Sequence, residues 1–365
     1  MAGSSFGTVF RVTTWGESHG EGIGAVVDGV PAGLSLSEEI IQRQLDRRRP
    51  GQSRYSTQRR ESDKVHILSG VFEGKTTGTS LSLAIWNEDQ HSRDYANVKD
   101  TYRPGHADFT YDRKYGFRDY RGGGRSSGRE TAARVAAGAV ALEILKSIGV
   151  TVTAYTRSIG PVESPVTDLS EALRNPLCMP DADAASKASA YLESKMAERD
   201  SAGGIIECVV NGLPAGIGDP VFEKLDARLG KALFSIGAVK GVEIGDGFAA
   251  ASSSGSEDND GFAVRDGKTV PSSNHAGGIL GGISDSAPII IRAAVKPTPS
   301  IFQPQATVTR DGEPTELVLK GRHDPVIVPR AVVVVESMTA ITLVDSLFLN
   351  MSARMDRFTA FYREP

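Results

Sequence analysis

Short apolar runs, separated by glycine-rich and polar segments, divide the chain into predicted strands and helices. Residues 7–14 predict a strand that leads into a glycine-rich turn, and Ile23–Val30 predicts a second strand after that turn. The other predicted strands fall on short apolar runs at Lys64–Phe72, Ser80–Trp86, 150–160, 203–211, 287–295, 316–319 and 331–336.

Helices are predicted between these strands from capping residues and stop signals. Ser127 and Glu130 fit a capping box, with Ser127 as the N-cap, and open the clearest helix of the chain, which is rich in alanine and ended by Gly149. The predicted helices cover Ser37–Arg49, Arg129–Ser147, 183–199, 220–234 and about 339–352.

Two polar segments are predicted to lack regular structure. Residues 87–125 form a long irregular stretch, which inside a compact domain is usually functional, and the acidic residues 252–261 predict a mobile surface loop. The strands and helices do not alternate in regular βαβ units. The pattern therefore favours a layered α+β fold over a doubly wound sheet, with a single domain over residues 1–365.

Composition narrows the class of protein. The chain has 39% apolar and 24% charged residues, as ordinary globular proteins do. No uninterrupted apolar run reaches the roughly 18 residues of a membrane helix, and the N-terminus lacks the pattern of a signal peptide. The two cysteines, Cys178 and Cys208, indicate neither a metal site nor a disulfide framework. These features predict a cytoplasmic protein with reduced thiols, no bound metal and no contact with a membrane.

Positive charge is concentrated in one part of an acidic chain. The net charge is −4, yet residues 43–134 hold 19 Lys and Arg against 12 Asp and Glu. A local positive field on an acidic protein favours small anionic ligands over nucleic acid.

Two histidines lie in short glycine-rich turns. His19 stands in Gly-Glu-Ser-His-Gly (16–20), and His106 in Arg-Pro-Gly-His-Ala-Asp (103–108). Histidine can donate a proton near neutral pH, and arginine binds phosphate and carboxylate through two hydrogen bonds. The two turns therefore suggest acid–base chemistry on a phosphorylated or carboxylated molecule.

Other segments suit anions, although each has an ordinary alternative. A dense arginine stretch interrupted by Pro50-Gly51 is either a solvated helix face followed by a loop or an anion clamp, and nucleic-acid binding is less favoured because few aromatic residues interleave it. Residues 122–129 bring a glycine run, Arg125 and Arg129 to a helix N-terminus, which favours an anion site. The arginines of the stretch are Arg43, Arg47, Arg48, Arg49, Arg54, Arg59 and Arg60.

Two short motifs match known patterns outside their required context. Residues 16–20 fit the G-x-S-x-G elbow of serine hydrolases, with Ser18 as the nucleophile, but a predicted strand follows where a helix is needed. Residues 20–25 fit a dinucleotide-binding pattern that does not open a helix. A serine hydrolase and a non-catalytic anion-binding or nucleic-acid-binding protein remain the alternative functions.

Taken together, the motifs resemble the chorismate synthase family over nearly the whole chain. The resemblance is carried by 10–14 with 16–20, the arginines from 47 to 60, 103–108, 124–131, 239–243, 274–278, Lys296–Ser300 and 322–325. Two positions depart from the family pattern: Gly237 replaces a frequent Asn or Pro, and Val326 replaces a frequent Cys in a place expected to be buried.

The resemblance implies a β-α-β sandwich of antiparallel sheets and helical layers, assembled as a homotetramer. It also implies the anti-1,4-elimination of phosphate and a ring proton from 5-enolpyruvylshikimate 3-phosphate, which gives chorismate. This reaction needs reduced FMN (FMNH₂) without net redox change. Since residues 20–25 lack the context of a dinucleotide site, we expect an external flavin reductase to supply the reduced FMN, with NADPH used directly only if the protein is bifunctional.

The resemblance also assigns roles to individual residues. His19 or His106 would act as the acid that helps phosphate to leave, and Asp324 would lie near flavin N5 as the eventual base. The substrate-binding residues implied are Ser18, Arg48, Arg54, Arg103 and Arg129. The FMN-binding residues implied are Arg125, Ser126, Ser127, Gly237, Ala238, Gly281, Lys296, Pro297, Thr298, Pro299, Ser300 and Arg322.

Overall fold

A computed structural model describes residues 3–56, 61–88, 98–319 and 324–363. Arg59, Arg60 and Arg322, which the sequence analysis singled out, lie outside these ranges. The helices are α1 (Glu38–Arg48), α2 (Asp108–Tyr115), α3 (Thr131–Ser147), α4 (Ala182–Ala197), α5 (Leu225–Phe234), α6 (Gly255–Asp258), α7 (Val328–Asn350) and α8 (Met355–Arg363).

The strands are β1 (Ser5–Phe6), β2 (Arg11–Gly16), β3 (Gly22–Asp28), β4 (Val65–Ser69), β5 (Val71–Phe72), β6 (Lys75–Thr76), β7 (Leu81–Trp86), β8 (Thr151–Ile159), β9 (Val162–Glu163), β10 (Gly204–Asn211), β11 (Val239–Ile244), β12 (Phe262–Arg265), β13 (Lys268–Pro271), β14 (Ile279–Leu280), β15 (Ile283–Ser284), β16 (Ile289–Val295), β17 (Gln305–Val308) and β18 (Pro314–Leu317). Their main pairings form two five-stranded antiparallel sheets, β1-β2-β3-β7-β4 and β11-β16-β10-β8-β9.

The two sheets enclose a layer of helices. Helix α3 packs on β3 and β7 of the first sheet, α7 packs on β8 and β10 of the second, and the two helices pack on each other. They approach closely at Gly138, where an added Cβ would lie 2.6 Å from Ser337 Oγ. The alanine-rich face of α3 permits this approach. The predicted α+β fold with antiparallel sheets and a helical layer is confirmed.

Helix α7 overturns one strand prediction. Residues 331–336 lie inside this helix, and Val332, Val333, Val334 and Val335 are all buried. A helix covered by protein on every side loses its apolar periodicity, so a run of valines in it is easily mistaken for a strand. By length and composition α7 could cross a membrane, but 83% of its most apolar window is buried inside the protein, as in a core helix.

Three further predictions need correction. Residues 108–115, expected to be irregular, form α2, and residues 255–258 of the expected acidic loop form α6, with a capping box between Ser254 and Glu257. The capping box at Ser127 is only half formed: the Ser127 hydroxyl accepts from the Arg129 N–H. The Glu130 carboxylate instead accepts from Thr14 and Arg134, so α3 begins at Thr131 after two 3₁₀ turns.

Candidate active site

The turn that carries His19 joins β2 to β3. Gly16 has φ +83°, and a Cβ there would collide with the carbonyl of Gly22 across the turn, so glycine is required. Ser18 is buried and His19 is half-buried. Since a strand follows the turn, the hydrolase elbow is not formed, and the dinucleotide-like residues 20–25 run into β3 rather than into a helix.

Gly122 lies between the two histidine-bearing segments. A Cβ on Gly122 would lie 2.6 Å from His19 Cδ2 and 3.1 Å from Ser18 Oγ. The Gly122 carbonyl accepts a long hydrogen bond, 3.4 Å, from Arg103 Nη2. The glycine run thus brings the turn at 16–20 against the segment that begins at Arg103, and it leaves room for the imidazole.

His106 is held by groups on both sides of its ring. Nδ1 lies 2.9 Å from the carbonyl oxygen of Pro104, and Nε2 lies 2.9 Å from Ser300 Oγ. The segments 103–108 and 296–300 make a second contact, in which Lys296 Nζ donates to the Gly105 carbonyl at 3.0 Å. The predicted proton donor is therefore joined directly to the segment 296–300.

Arg103 is fixed by a buried carboxylate. Its Nε and Nη2 donate to the two oxygens of Asp108 at 2.8 and 2.7 Å, and its backbone N–H donates to the same group. Burial raises the pKa of Asp108, but the hydrogen bonds and charge of Arg103 outweigh burial and hold that pKa below its ordinary value. Asp108 therefore stays ionised and orients Arg103.

Arg48 and Arg129 share a second buried carboxylate, Asp63. Arg48 Nη1 donates to Asp63 Oδ2 at 3.1 Å, and Arg129 Nη1 donates to Oδ1 of the same group. A carboxylate oxygen of Glu61 lies 3.6 Å from Arg129 Nη2. The two arginines of this cluster are therefore balanced by two carboxylates, those of Asp63 and Glu61. Burial lowers the pKa of Arg48 to about 10, although Asp63 beside it acts in the opposite direction. Arg48 also donates to the hydroxyl of Thr131, at 3.1 Å.

The arginine stretch therefore does not act as a unit. Arg48 is buried, whereas Arg49 is exposed on the solvent side of α1. Arg54 is exposed as well, stacks on Tyr55 and pairs with Glu193 of α4, so it does not join the cluster around Asp63. Among the described arginines of the stretch, Arg49 and Arg54 fit the solvated interpretation, whereas Arg48 is buried beside Asp63.

Asp324 is linked to the backbone of Arg48 through Arg330. Its two carboxylate oxygens accept from Arg330 Nη1 at 3.0 and 2.8 Å, and Arg330 Nε donates to the backbone carbonyl of Arg48 at 3.2 Å. The loop before α7 is thereby tied to the C-terminal end of α1. Val326 in this loop is buried, as predicted.

Arg125 points back into the first sheet. Its guanidinium donates to the carbonyls of Gly16 and Thr14, at 3.0 and 3.1 Å, and to the Thr14 hydroxyl. Arg125, Ser126 and Glu130 line a cavity of about 1060 Å³ between α2, the glycine run and α7. Cations and aromatic rings share its wall, which suits a ligand that is both anionic and flat.

The remaining residues of the predicted flavin set lie in three places. Thr298 Oγ1 is buried and, within the ranges the structure describes, has no hydrogen-bond partner. The Lys296 N–H donates to the Ala238 carbonyl at 3.0 Å, which joins residues 237–238 to the segment 296–300. Gly281 stands exposed in the turn between β14 and β15, and a Cβ there would meet nothing within 4 Å.

A flavin phosphate and ring fit this donor set. The segment 296–300 offers an ammonium group and an unsatisfied buried hydroxyl, which are the partners that a phosphate or a ring carbonyl requires. Ser126 Oγ donates to the Gly123 carbonyl and stays exposed, so it can also accept from a ligand. Among the described residues, no group of three or more His, Cys, Asp or Glu could hold a metal ion.

Sequence reasoning missed the carboxylates and the amide that hold the predicted groups. Asp63, Asp108, Glu130 and Asn87 each bind an arginine or a turn of the site, and Arg330 holds Asp324. Asp108 stands in a motif that was quoted, so its spacing from Arg103 was a usable signal. Glu130 and Arg330 are also near their partners in sequence, whereas Asp63 and Asn87 come from distant parts of the chain and carry no local pattern.

The fold and the site define an α+β protein whose candidate site combines buried arginines with two histidine-bearing loops. A family model described as chorismate synthase matches residues 10–348. The chorismate synthase of Agathobacter rectalis is 61% identical over 366 residues, with 100% of both chains covered. That of Methanococcoides burtonii is 54% identical over 352 residues, with 95% of this chain and 96% of the relative covered.

A solved structure described as a crystal structure of chorismate synthase agrees in fold. Its TM-score is 0.77 at 32% identity, and the match covers 98% of this chain and 97% of that chain. The chain belongs to the chorismate synthase family. It is accordingly a lyase of aromatic amino-acid biosynthesis that acts on a small molecule.

Proposed function

We propose that this enzyme removes phosphate and a ring proton from 5-enolpyruvylshikimate 3-phosphate by anti-1,4-elimination to give chorismate. The observation that carries the proposal is the meeting of the two histidine segments at Gly122, with Arg103 bonded to the Gly122 carbonyl. Two segments that each carry a histidine, joined through a glycine run and an oriented arginine, suit the loss of a protonated phosphate from an anionic substrate.

The substrate carries two carboxylates and a phosphate, so cations must attract it. Arg103 is held in a fixed direction by Asp108, and its cluster keeps a net positive charge because Arg118 and Arg310 pair with Asp112 beside it. The Arg48–Arg129 cluster is neutral and buried. It would therefore orient the N–H donors of its arginines toward the substrate, and it would add little to the electrostatic attraction of the substrate. Ser18 and Arg54 complete the proposed substrate set.

His106 is suited to act as the acid. A carbonyl oxygen only accepts, so Nδ1 beside Pro104 carries a proton in both charge states. The second proton of the imidazolium then resides on Nε2, which faces Ser300. His19, next to the glycine run, is the alternative acid for the leaving phosphate.

Asp324 is the proposed base. Both of its oxygens accept hydrogen bonds from Arg330 Nη1, and a carboxylate in this place would accept the ring proton. Arg330 also fixes the direction of the carboxylate relative to α1.

The proposed cofactor is reduced FMN, and the residues that would hold it are Arg125, Ser126, Ser127, Gly237, Ala238, Gly281, Lys296–Ser300 and Arg322. When bound, it would lend electron density transiently to a substrate whose proton is otherwise weakly acidic. We further propose a single-domain subunit in a cytoplasmic homotetramer.

The test is an anaerobic assay for chorismate with purified protein and 5-enolpyruvylshikimate 3-phosphate. Product is expected with dithionite-reduced FMN and not with oxidised FMN. Its absence with reduced FMN would contradict the proposal, and labelling of Ser18 by a fluorophosphonate would favour a hydrolase. His66 lies on β4, outside the proposed site, so His66→Ala is the control for His19→Ala and His106→Ala and should retain full activity.

We propose that FMNH₂ comes from an external reductase. The pattern at 20–25 enters β3 directly and does not open a helix that could bind a pyrophosphate. Oxidised FMN and NADPH, added in the dark without oxygen or reductase, should therefore give little chorismate. A rate close to that with chemically reduced FMN would reveal an intrinsic reductase.

A further inference from the structure

Asn87, the residue after β7, braces the turn that carries His19. Its Nδ2 donates to the backbone carbonyls of Glu17 and Gly20, at 3.0 and 2.8 Å. Its own N–H donates to the carbonyl of Glu21 at 3.0 Å. Three carbonyls of one tight turn are thus bound by a single residue.

The other end of the same amide binds Arg129. Arg129 Nε donates to Asn87 Oδ1 at 2.9 Å, while Arg129 Nη1 donates to Asp63. Asn87 therefore connects the His19 turn with the buried arginine–carboxylate cluster.

Only an amide of this length meets both demands. The two carbonyls need donors, and the guanidinium needs an acceptor at the opposite end of the group. Aspartate has the same shape and would still accept from Arg129, but it would place a carboxylate oxygen against two carbonyls. Alanine would remove these side-chain hydrogen bonds from all three partners, although the Glu17 carbonyl would still accept from the Gly20 N–H at 3.2 Å.

We propose that Asn87 is a positioning residue that holds His19 in register with Arg129 for proton transfer. The inference rests on the proposed function. Its chemical consequence is that Asn87 acts through His19 and has no contact of its own with the reacting atoms.

The mutational test uses a cycle of variants assayed with reduced FMN: Asn87→Asp, His19→Ala and the double variant. Misplacing a catalytic group by about 1 Å lowers turnover on the order of 10²-fold. We expect Asn87→Asp to lower kcat by about tenfold to 10²-fold in the wild-type background and by less than about twofold in the His19→Ala background. A residue with a merely structural role would cause equal losses in both.

A second readout does not depend on catalysis. Hydrogen exchange of the peptide around residues 15–22 should be faster in Asn87→Asp and in Asn87→Ala, because the turn loses its donors. Asn211→Asp, at the exposed end of β10, is the matched control. It should change neither kcat nor the hydrogen exchange of the peptide around residues 15–22.

The outcomes separate this inference from the proposed function. A wild-type protein that forms no chorismate would refute the function, while the exchange data would still report on the brace. Equal losses in both backgrounds, wild-type turnover in Asn87→Asp, or unchanged exchange would overturn the inference. Failure of both Asn87 variants to fold would also overturn it, since Asn87 would then serve the fold.

Discussion

His106 Nε2 lies 2.9 Å from Ser300 Oγ, so two segments 194 residues apart in sequence meet at the proposed proton donor. The bond fixes the ring from the side opposite Pro104. It also occupies a hydroxyl of the residue set that the family resemblance assigns to FMN. Ser300 therefore orients the histidine, and it also belongs to the residues that we propose hold FMN.

This relationship predicts graded effects of two substitutions. His106→Ala should lower kcat on the order of 10²-fold, because it removes the proton donor. Ser300→Ala should lower kcat less and should shift the pH dependence of kcat, because the histidine loses the partner of its Nε2. Ser300→Thr should restore most of the rate. Equal losses at both positions, with no change in the pH profile, would show that Ser300 serves only FMN.

Gly122 gives a steric prediction. In Gly122→Ala, the new Cβ would lie 2.6 Å from His19 Cδ2, and φ +136° is unfavourable for any other residue. We expect kcat to fall by at least about tenfold as His19 is displaced. Gly128→Ala is the control, since a Cβ there meets nothing within 4 Å. Equal activity of the two variants would mean that His19 can move without consequence.

The substitution Asp324→Asn tests whether Asp324 acts as the base or only as a structural partner of Arg330. Asparagine keeps the shape of the side chain but cannot accept the ring proton, so turnover should fall on the order of 10²-fold or more while FMN and substrate still bind. If Asp324 only neutralises Arg330, the melting temperature should fall and the folded fraction should remain active. Melting temperature and specific activity of the same preparation decide between these results.

The sequence predicts the parts of this protein that have local causes. The Ser37 cap, the helix ended by Gly149 and the strands at 23–30 and 80–86 follow from neighbouring residues, and the structure contains each of them. The sequence pattern predicts a strand followed by a helix where the structure has the single helix α7, because burial on all sides removes the apolar periodicity that marks a helix. The motifs identified the family and the candidate site, but the partners that orient them, such as Asp63, belong to tertiary structure.

Arg48 tests how burial changes the role of a predicted ligand-binding residue. Arg48→Ala removes one partner of the buried Asp63 and should reduce the free energy of unfolding by about 3–5 kcal/mol, in addition to weakening substrate binding. Arg49→Ala should change it by less than about 1 kcal/mol, because its pair with Asp46 is exposed. Urea unfolding measures both. Unchanged stability in Arg48→Ala, with weaker binding alone, would mean that Arg48 serves only the ligand.

The buried carboxylates predict loss of stability in acid. Although burial raises the pKa values of Asp63 and Asp108, their arginine partners outweigh it, so both pKa values lie below the ordinary value of 3.8. A lowered folded-state pKa contributes stability above the unfolded-state pKa, about 3.9, and the contribution is lost as pH falls through the folded value. Each unit of depression corresponds to about 1.4 kcal/mol.

The free energy of unfolding should therefore decrease as pH is lowered from about 5 toward 2. In Asp108→Asn, the free energy of unfolding should be lower than in the wild type near pH 5. It should then decrease less as the pH falls toward 2, because the substituted side chain takes up no proton. Asp28→Asn, in an exposed pair with Arg11, is the control and should lose as much as the wild type. Urea titrations across the pH range measure these slopes. An Asp108→Asn slope equal to that of the wild type would show that the buried pair with Arg103 is not a source of the acid sensitivity.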